Sequence, residues 1–176
     1  MADVEATEPT SPTDGKHPVT TLAGPYGHPF HPILVTVPIG AWVAAFVFDI
    51  VSRAGDEGAV FAKGAYWLIG IGIVGALVAA MFGFLDLLAI PTGTRAFATG
   101  LIHMGLNLTV VAVFVVGFVL RHGPLDDDDG TPVGLVVFAG AALALLAAAG
   151  WLGGKLTYRY GVRVVEEATQ ADGYHR

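Results

Sequence analysis

Four long apolar stretches, separated by short polar segments, dominate the chain. Each is long enough to cross a hydrocarbon core of about 30 Å as a helix rising about 1.5 Å per residue. The pattern predicts helices over about 32–52, 60–90, 96–120 and 132–153. The expected fold is therefore all-α, a four-helix transmembrane bundle over residues 27–164. A disordered acidic and Pro-rich tail is expected over 1–26, and a polar tail over 165–176.

The first apolar stretch begins with two histidines, each followed by a proline. Because a proline biases the residue before it away from the α region, His28 and His31 are both expected in an extended lead-in. Pro38 lies inside the helix and should kink it, since its missing N–H leaves the carbonyl of Leu34 free. On the second helix a seam of small residues ends in Asp86. No internal repeat is obvious among the four helices, which counts against a transporter built from repeats.

Composition supports a membrane protein. The 176 residues are 54% hydrophobic and only 14% charged, whereas soluble domains carry about 25% charged residues. The chain has no cysteine, which excludes disulfides, iron–sulfur ligation by this chain and covalent c-type haem. A formal charge of −6 argues against nucleic acid as a partner. No basic segment precedes a short apolar stretch, so the first helix is expected to act as an uncleaved insertion signal.

The distribution of basic residues predicts the orientation. Lysines and arginines near the membrane are more numerous on the side of the two termini, and this bias marks the cytoplasmic side. That side carries Lys16, Arg95, Lys155, Arg159 and Arg163, and the opposite side carries Arg53, Lys63 and Arg121. Both termini are therefore expected in the cytoplasm.

With this topology, most of the unusual polar residues gather at one end of the bundle. Ionisable residues inside a span are costly and usually face a partner or a wet cavity. Imidazoles and carboxylates are ligands for first-row transition metals, and two histidines can also bind haem iron. The candidate metal ligands are His28, His31, Asp86 and His103, and the candidate haem ligands are the three histidines. No nucleophile–base pair or phosphate loop is evident, so no catalytic residue is expected.

Each histidine also has a structural interpretation. His28 and His31 could cap backbone groups at the entry of the first helix. His103 could donate a hydrogen bond to a neighbouring backbone carbonyl. Asn107 could form a hydrogen bond between helices, as polar residues in transmembrane bundles often do. These alternatives remain open at the level of the sequence.

The carboxylates have structural interpretations too. Asp86 could pair with Arg95 at the interface. Asp49 is expected at the end away from His31, about 25 Å along the helix from the start of the span, as an ion pair with Arg53. The aspartates over 126–129 are expected to form a solvated loop.

These same residues resemble the signature of a bacterial membrane-protein family known as domain of unknown function 2231. The resemblance covers about 26–164. It rests on His28-Pro29-Phe30-His31-Pro32-Ile33-Leu34-Val35, Pro38-Ile39-Gly40, Phe48-Asp49, Gly83-Phe84-Leu85-Asp86, His103, Asn107, Trp151-Leu152-Gly153-Gly154 and Tyr158-Arg159-Tyr160-Gly161-Val162. It implies a four-helix protein of the bacterial cytoplasmic membrane and supplies no activity. Some members of that family are joined to Rieske-type iron–sulfur domains, which favours electron transfer.

The sequence thus favours a redox module that holds haem b or a first-row transition metal through its histidines. The expected partners are the lipid bilayer, a redox protein and further copies of the chain. The alternative is a non-enzymatic accessory subunit, or a small permeation protein whose polar cluster is structural.

Overall fold

A computed structural model describes residues 15–54, 56–122 and 130–175, and within these residues it contains helices and no strand. The helices are α1 (His31–Leu34), α2 (Thr36–Val51), α3 (Gly58–Leu88), α4 (Arg95–Arg121), α5 (Val133–Tyr158) and α6 (Glu167–Asp172), with one 3₁₀ turn over Thr21–Ala23. Four helical segments are long and apolar enough to cross a membrane, and α1 and α2 together make the first of them. The expected all-α transmembrane bundle is confirmed.

The first span begins earlier than the sequence suggests. His31 is the first residue of α1, so the expectation that it lies in an extended lead-in is wrong. Pro32 is the second residue of α1, within the first turn, where a helix needs no backbone N–H, so it is compatible with a helix that starts at His31. The helix is interrupted at Val35, just after the carbonyl of Leu34 that Pro38 cannot satisfy. The predicted kink is therefore a short break between α1 and α2.

The other spans follow their apolar runs. Thr94 caps the start of α4, where its hydroxyl accepts a hydrogen bond from the N–H of Phe97 at 3.1 Å. The last span, α5, continues to Tyr158 and ends five residues later than expected. Lys155, which was expected to follow the helix, is thus helical.

The four spans are arranged as two helix hairpins. The first hairpin is α2 packed on α3, and the second is α4 packed on α5; α3 also packs on α4, and the seam between α2 and α5 is the sparsest. At the centre, the ring of Trp42 stacks on the ring of Phe114 with centroids 4.1 Å apart. Ile69, Val110 and Ala142 surround this stack. Outside the bundle, the large apolar side chains are exposed in the way that a lipid-facing surface requires.

Residues 15–26 are packed against the C-terminal segment, in contrast to the disordered tail expected over 1–26. The N–H of Arg163 donates to the carbonyl of Gly15 at 3.0 Å, and the N–H of Glu166 donates to the hydroxyl of Tyr26 at 3.0 Å. Ala23 is completely buried in this contact. Residues 1–14 and the aspartate loop over 126–129 lie outside the described residues.

Candidate functional site: a histidine pair inside the bundle

His31 rests against the far end of α3. Its Nδ1 is 2.9 Å from the carbonyl oxygen of Ala79 and therefore donates a hydrogen bond to it. One turn later, Gly83 leaves room for the ring, because a Cβ there would lie 2.8 Å from His31 Cε1. The ring is half-buried, and the absence of a side chain at Gly83 is what allows its close approach to the helix.

His103 rests against α5 in the same way. Its Nδ1 donates to the carbonyl oxygen of Ala149 at 2.8 Å, and a Cβ at Gly153 would lie 3.0 Å from His103 Cε1. Each histidine thus uses an alanine carbonyl and a glycine four residues later on the partner helix. The carbonyl bond expected as a structural alternative for His103 is present, and His31 has one as well.

The two imidazoles approach each other inside the bundle. Their ring centroids are 6.3 Å apart and their planes are nearly perpendicular, at 86°. Because a carbonyl oxygen only accepts, each Nδ1 carries a proton. In the neutral rings Nε2 is then the unprotonated nitrogen with a lone pair, which is the form that binds metals.

Asn107 belongs to the surroundings of His103. Its Nδ2 donates to the backbone carbonyl of His103 at 2.8 Å and lies 3.3 Å from each ring nitrogen. The hydrogen bonds of Asn107 among the described residues therefore stay within α4, and the alternative of a bond between helices is not seen there.

The structure does not bring the other two candidate ligands into the pair. His28 is exposed, before the start of α1. Asp86 is buried and pairs with Arg163, with Oδ1 2.9 Å from Nε, so Arg163 takes the place that Arg95 had in one of the two interpretations of Asp86. Among the described residues there is no group of three or more His, Cys, Asp or Glu side chains that could hold a metal ion.

Arg163 pairs with Asp86, although the sequence had not indicated Arg163 as a site residue. It is 6% exposed, and its Nη2 donates to the carbonyls of Ala23 and Gly24 at 3.1 and 3.0 Å. Its φ of 61° lies in the left-handed region, directly after the turn at Gly161. Arg163 thus ties the N-terminal segment to Asp86, next to the histidine pair. A buried carboxylate is expected to pair with a cation, but nothing in the sequence near Asp86 indicates that this cation comes from a residue after the end of α5.

A second polar cluster lies at the opposite end of the bundle, where Asp49 was expected. Asp49 is fully buried, and its Oδ2 accepts from Arg121 Nη2 at 2.6 Å while Oδ1 accepts from the Thr131 hydroxyl at 2.8 Å. The expected partner Arg53 is wrong, because Arg53 donates to the carbonyl of Thr131 instead. The cluster joins α2, α4 and the start of α5, and Asp49 and His31 share no contact.

Four apolar spans with ionisable side chains paired inside the bundle define a multi-pass membrane protein. The chain belongs to the family described as predicted membrane protein DUF2231, whose model matches residues 27–166. That match covers the four spans and the histidine pair. No curated protein and no solved structure matches the chain.

Proposed function

We propose that the chain is a membrane redox module in which His31 and His103 would hold one haem b, which would supply one-electron transfer. A redox protein that exchanges electrons with this centre is the partner that such a module needs. The single observation that carries the proposal is the pair itself: two imidazoles with ring centroids 6.3 Å apart inside a four-helix bundle, with both Nδ1 atoms bonded to carbonyls.

The hydrogen bonds support ligation. A metal-binding histidine almost always donates its other ring N–H to a carbonyl or carboxylate, which fixes the tautomer and the ring orientation. His31 and His103 both meet this condition through Ala79 and Ala149. Neither Nδ1 would change partner on haem binding, whereas Asn107 Nδ2, 3.3 Å from His103 Nε2, would have to move aside.

The spacing of the rings also supports ligation. Two imidazoles that would hold one metal ion through metal–nitrogen bonds of about 2.0 Å need ring centres within about 6 Å of each other. The centroids of His31 and His103 are separated by 6.3 Å.

The number of protein ligands favours haem over a bare ion. A structural zinc site takes four protein ligands, whereas haem iron takes four nitrogens from the porphyrin and only axial ligands from the protein. The described residues offer a pair of imidazoles and no larger group. Because the chain lacks cysteine, the haem would be held without covalent attachment.

The test is absorption spectroscopy and metal analysis of detergent-purified protein, from cells supplied with iron and a haem precursor and without chelator. We expect a Soret band in the wild type. His31→Ala and His103→Ala should abolish six-coordinate haem while the bundle stays inserted, since the four apolar spans remain.

His28→Ala is the matched control, because His28 is exposed and outside the pair. It should keep the Soret band. If metal analysis finds a metal but the spectrum has no Soret band, the histidine pair binds a metal ion without haem. A colourless, metal-free wild type would refute the proposal and leave the accessory or permeation role, with a purely structural histidine pair.

A further inference from the structure

The two helix hairpins share one burial pattern. The buried residues of α2 are Pro38, Trp42, Ala45 and Asp49, and a shift of 72 residues places each on a buried residue of α4: Val110, Phe114, Gly117 and Arg121. The buried residues of α5 are Ala139, Ala142, Ala149 and Leu156, and a shift of 70 residues places each on a buried residue of α3: Ile69, Gly72, Ala79 and Asp86. The first and second hairpins are therefore equivalent in register.

Contacts at the centre of the bundle join equivalent residues. Trp42 stacks on Phe114, Asp49 pairs with Arg121, and His31 faces His103; all three pairs are separated by 72 residues. Residues that meet their own equivalents lie on an axis of twofold symmetry.

A reciprocal pair of contacts supports the same axis. Gly70 packs against the ring of Phe118, with an added Cβ 3.1 Å from that ring. Gly140, the equivalent of Gly70, packs against the ring of Phe46, the equivalent of Phe118, at 3.4 Å. In a twofold arrangement, residue i contacts j and residue j contacts i, as these four residues do.

The sequence shows this relation only weakly. Between 31–49 and 103–121 the identical residues are His31 and His103, Leu34 and Leu106, Val43 and Val115, Phe46 and Phe118, and Val47 and Val119. In the central pairs, Trp42 with Phe114 and Asp49 with Arg121, both members are buried, but they are different amino acids. These few identities explain why no internal repeat is obvious from the sequence.

We propose that the histidine pair is one ligand site on this pseudo-twofold axis, built from two equivalent half-sites. Each half-site is one imidazole with an alanine carbonyl and a glycine on the partner helix: His31 with Ala79 and Gly83, and His103 with Ala149 and Gly153. The ligand is a single metal centre held between two matched imidazoles, which rests on the proposed function. The equivalence of the half-sites stands on the protein geometry alone.

Matched half-sites make a quantitative prediction for the full chain. Gly83→Ala and Gly153→Ala each place a methyl group against the neighbouring ring and should break its Nδ1 hydrogen bond. Diethyl pyrocarbonate modifies neutral imidazoles, and the rate at each histidine is measured by peptide mass spectrometry. Gly83→Ala should speed the modification of His31 about fivefold, the factor expected for one lost hydrogen bond, and Gly153→Ala should do the same for His103.

Each variant carries its own reference, since the other histidine should keep its wild-type rate. A variant that unfolds would expose both histidines, so unfolding would be recognised by faster modification of both. Gly150→Ala is the control: a Cβ at Gly150 meets nothing within 4 Å, and its equivalent residue in the first hairpin is already Ala80. It should change neither rate.

A strong effect from one glycine and none from the other would overturn the half-site proposal, even in a protein that binds haem. Equal effects in a colourless protein would retain the equivalent half-sites and refute the haem. If haem is present, both variants should shift its absorption bands in the same direction and by the same amount, and opposite shifts would contradict the matched ligands.

Discussion

Replacing Asp49 by asparagine tests the ion pair at the end of the bundle opposite the histidines. The wild-type carboxylate is 0% exposed and the guanidinium of Arg121 is 4% exposed, so solvent does not screen the pair. Asparagine keeps the shape and can still accept from the Thr131 hydroxyl. It removes the negative charge and leaves Arg121 with only the carbonyls of Gly117 and Leu135 as acceptors.

Breaking a buried ion pair by removing one partner costs about 3–5 kcal/mol. Because Arg121 retains two carbonyl partners, we expect Asp49→Asn to lower the free energy of unfolding by about 3 kcal/mol, the lower end of that range. Replacing both partners with apolar residues, Asp49→Leu with Arg121→Met, removes the uncompensated charge. The double variant should be within about 1 kcal/mol of the wild type.

The assay is reversible unfolding in mixed micelles, followed by the fluorescence of Trp42. All variants carry Trp67→Phe and Trp151→Phe, so that Trp42 is the one tryptophan that fluoresces. The two replaced tryptophans are exposed, whereas Trp42 is buried. Lys63→Gln removes an exposed charge as the control and should change stability by less than about 0.5 kcal/mol. A cost below about 1 kcal/mol for Asp49→Asn would refute the reasoning that the pair is shielded from water.

Three further outcomes are expected. Gly72→Ala places a Cβ on the indole of Trp42 and should destabilise the bundle by about 1–3 kcal/mol in the same assay, whereas Gly40→Ala, with open space around it, should stabilise by about 0.5–1 kcal/mol. Arg163→Gln releases the N-terminal segment; in this cysteine-free chain, a single Ala23→Cys reporter should then react with maleimide about tenfold faster, and an unchanged rate would contradict the contact. Reporter fusions at both termini should be active only in the cytoplasm, and periplasmic activity at either would reverse the predicted orientation.

The spans were predictable because bilayer thickness fixes the length of an apolar run. The predicted ends of the second and third helices lie within two residues of α3 and α4. Helix direction also predicted that His31 and His103 would lie at one end of the bundle. That argument needs only the order of antiparallel spans and no knowledge of their packing.

Partners of buried charges were not predictable in the same way. The sequence favoured the nearest arginines, Arg53 for Asp49 and Arg95 for Asp86. The folded chain instead supplies Arg121, 72 residues from Asp49, and Arg163 from a loop after the last span. Proximity along the chain is a poor guide because helices packed side by side bring together residues that are far apart in sequence.

The internal duplication was hidden for a related reason. Two equivalent transmembrane hairpins need apolar residues at the same inward-facing positions, and many different apolar residues fit such a position. Glycines that accept an aromatic ring, such as Gly70 and Gly140, are more constrained because any side chain there would displace its partner.

The pairing of Asp49 with Arg121 also determines which hairpin can associate with which. If two first hairpins from different chains met about the same axis, two aspartates would face each other in an apolar setting; two second hairpins would bring two arginines together. Like charges at such a position are strongly unfavourable. The opposite charges at equivalent positions therefore favour pairing of the first hairpin with the second over pairing of either hairpin with its own copy.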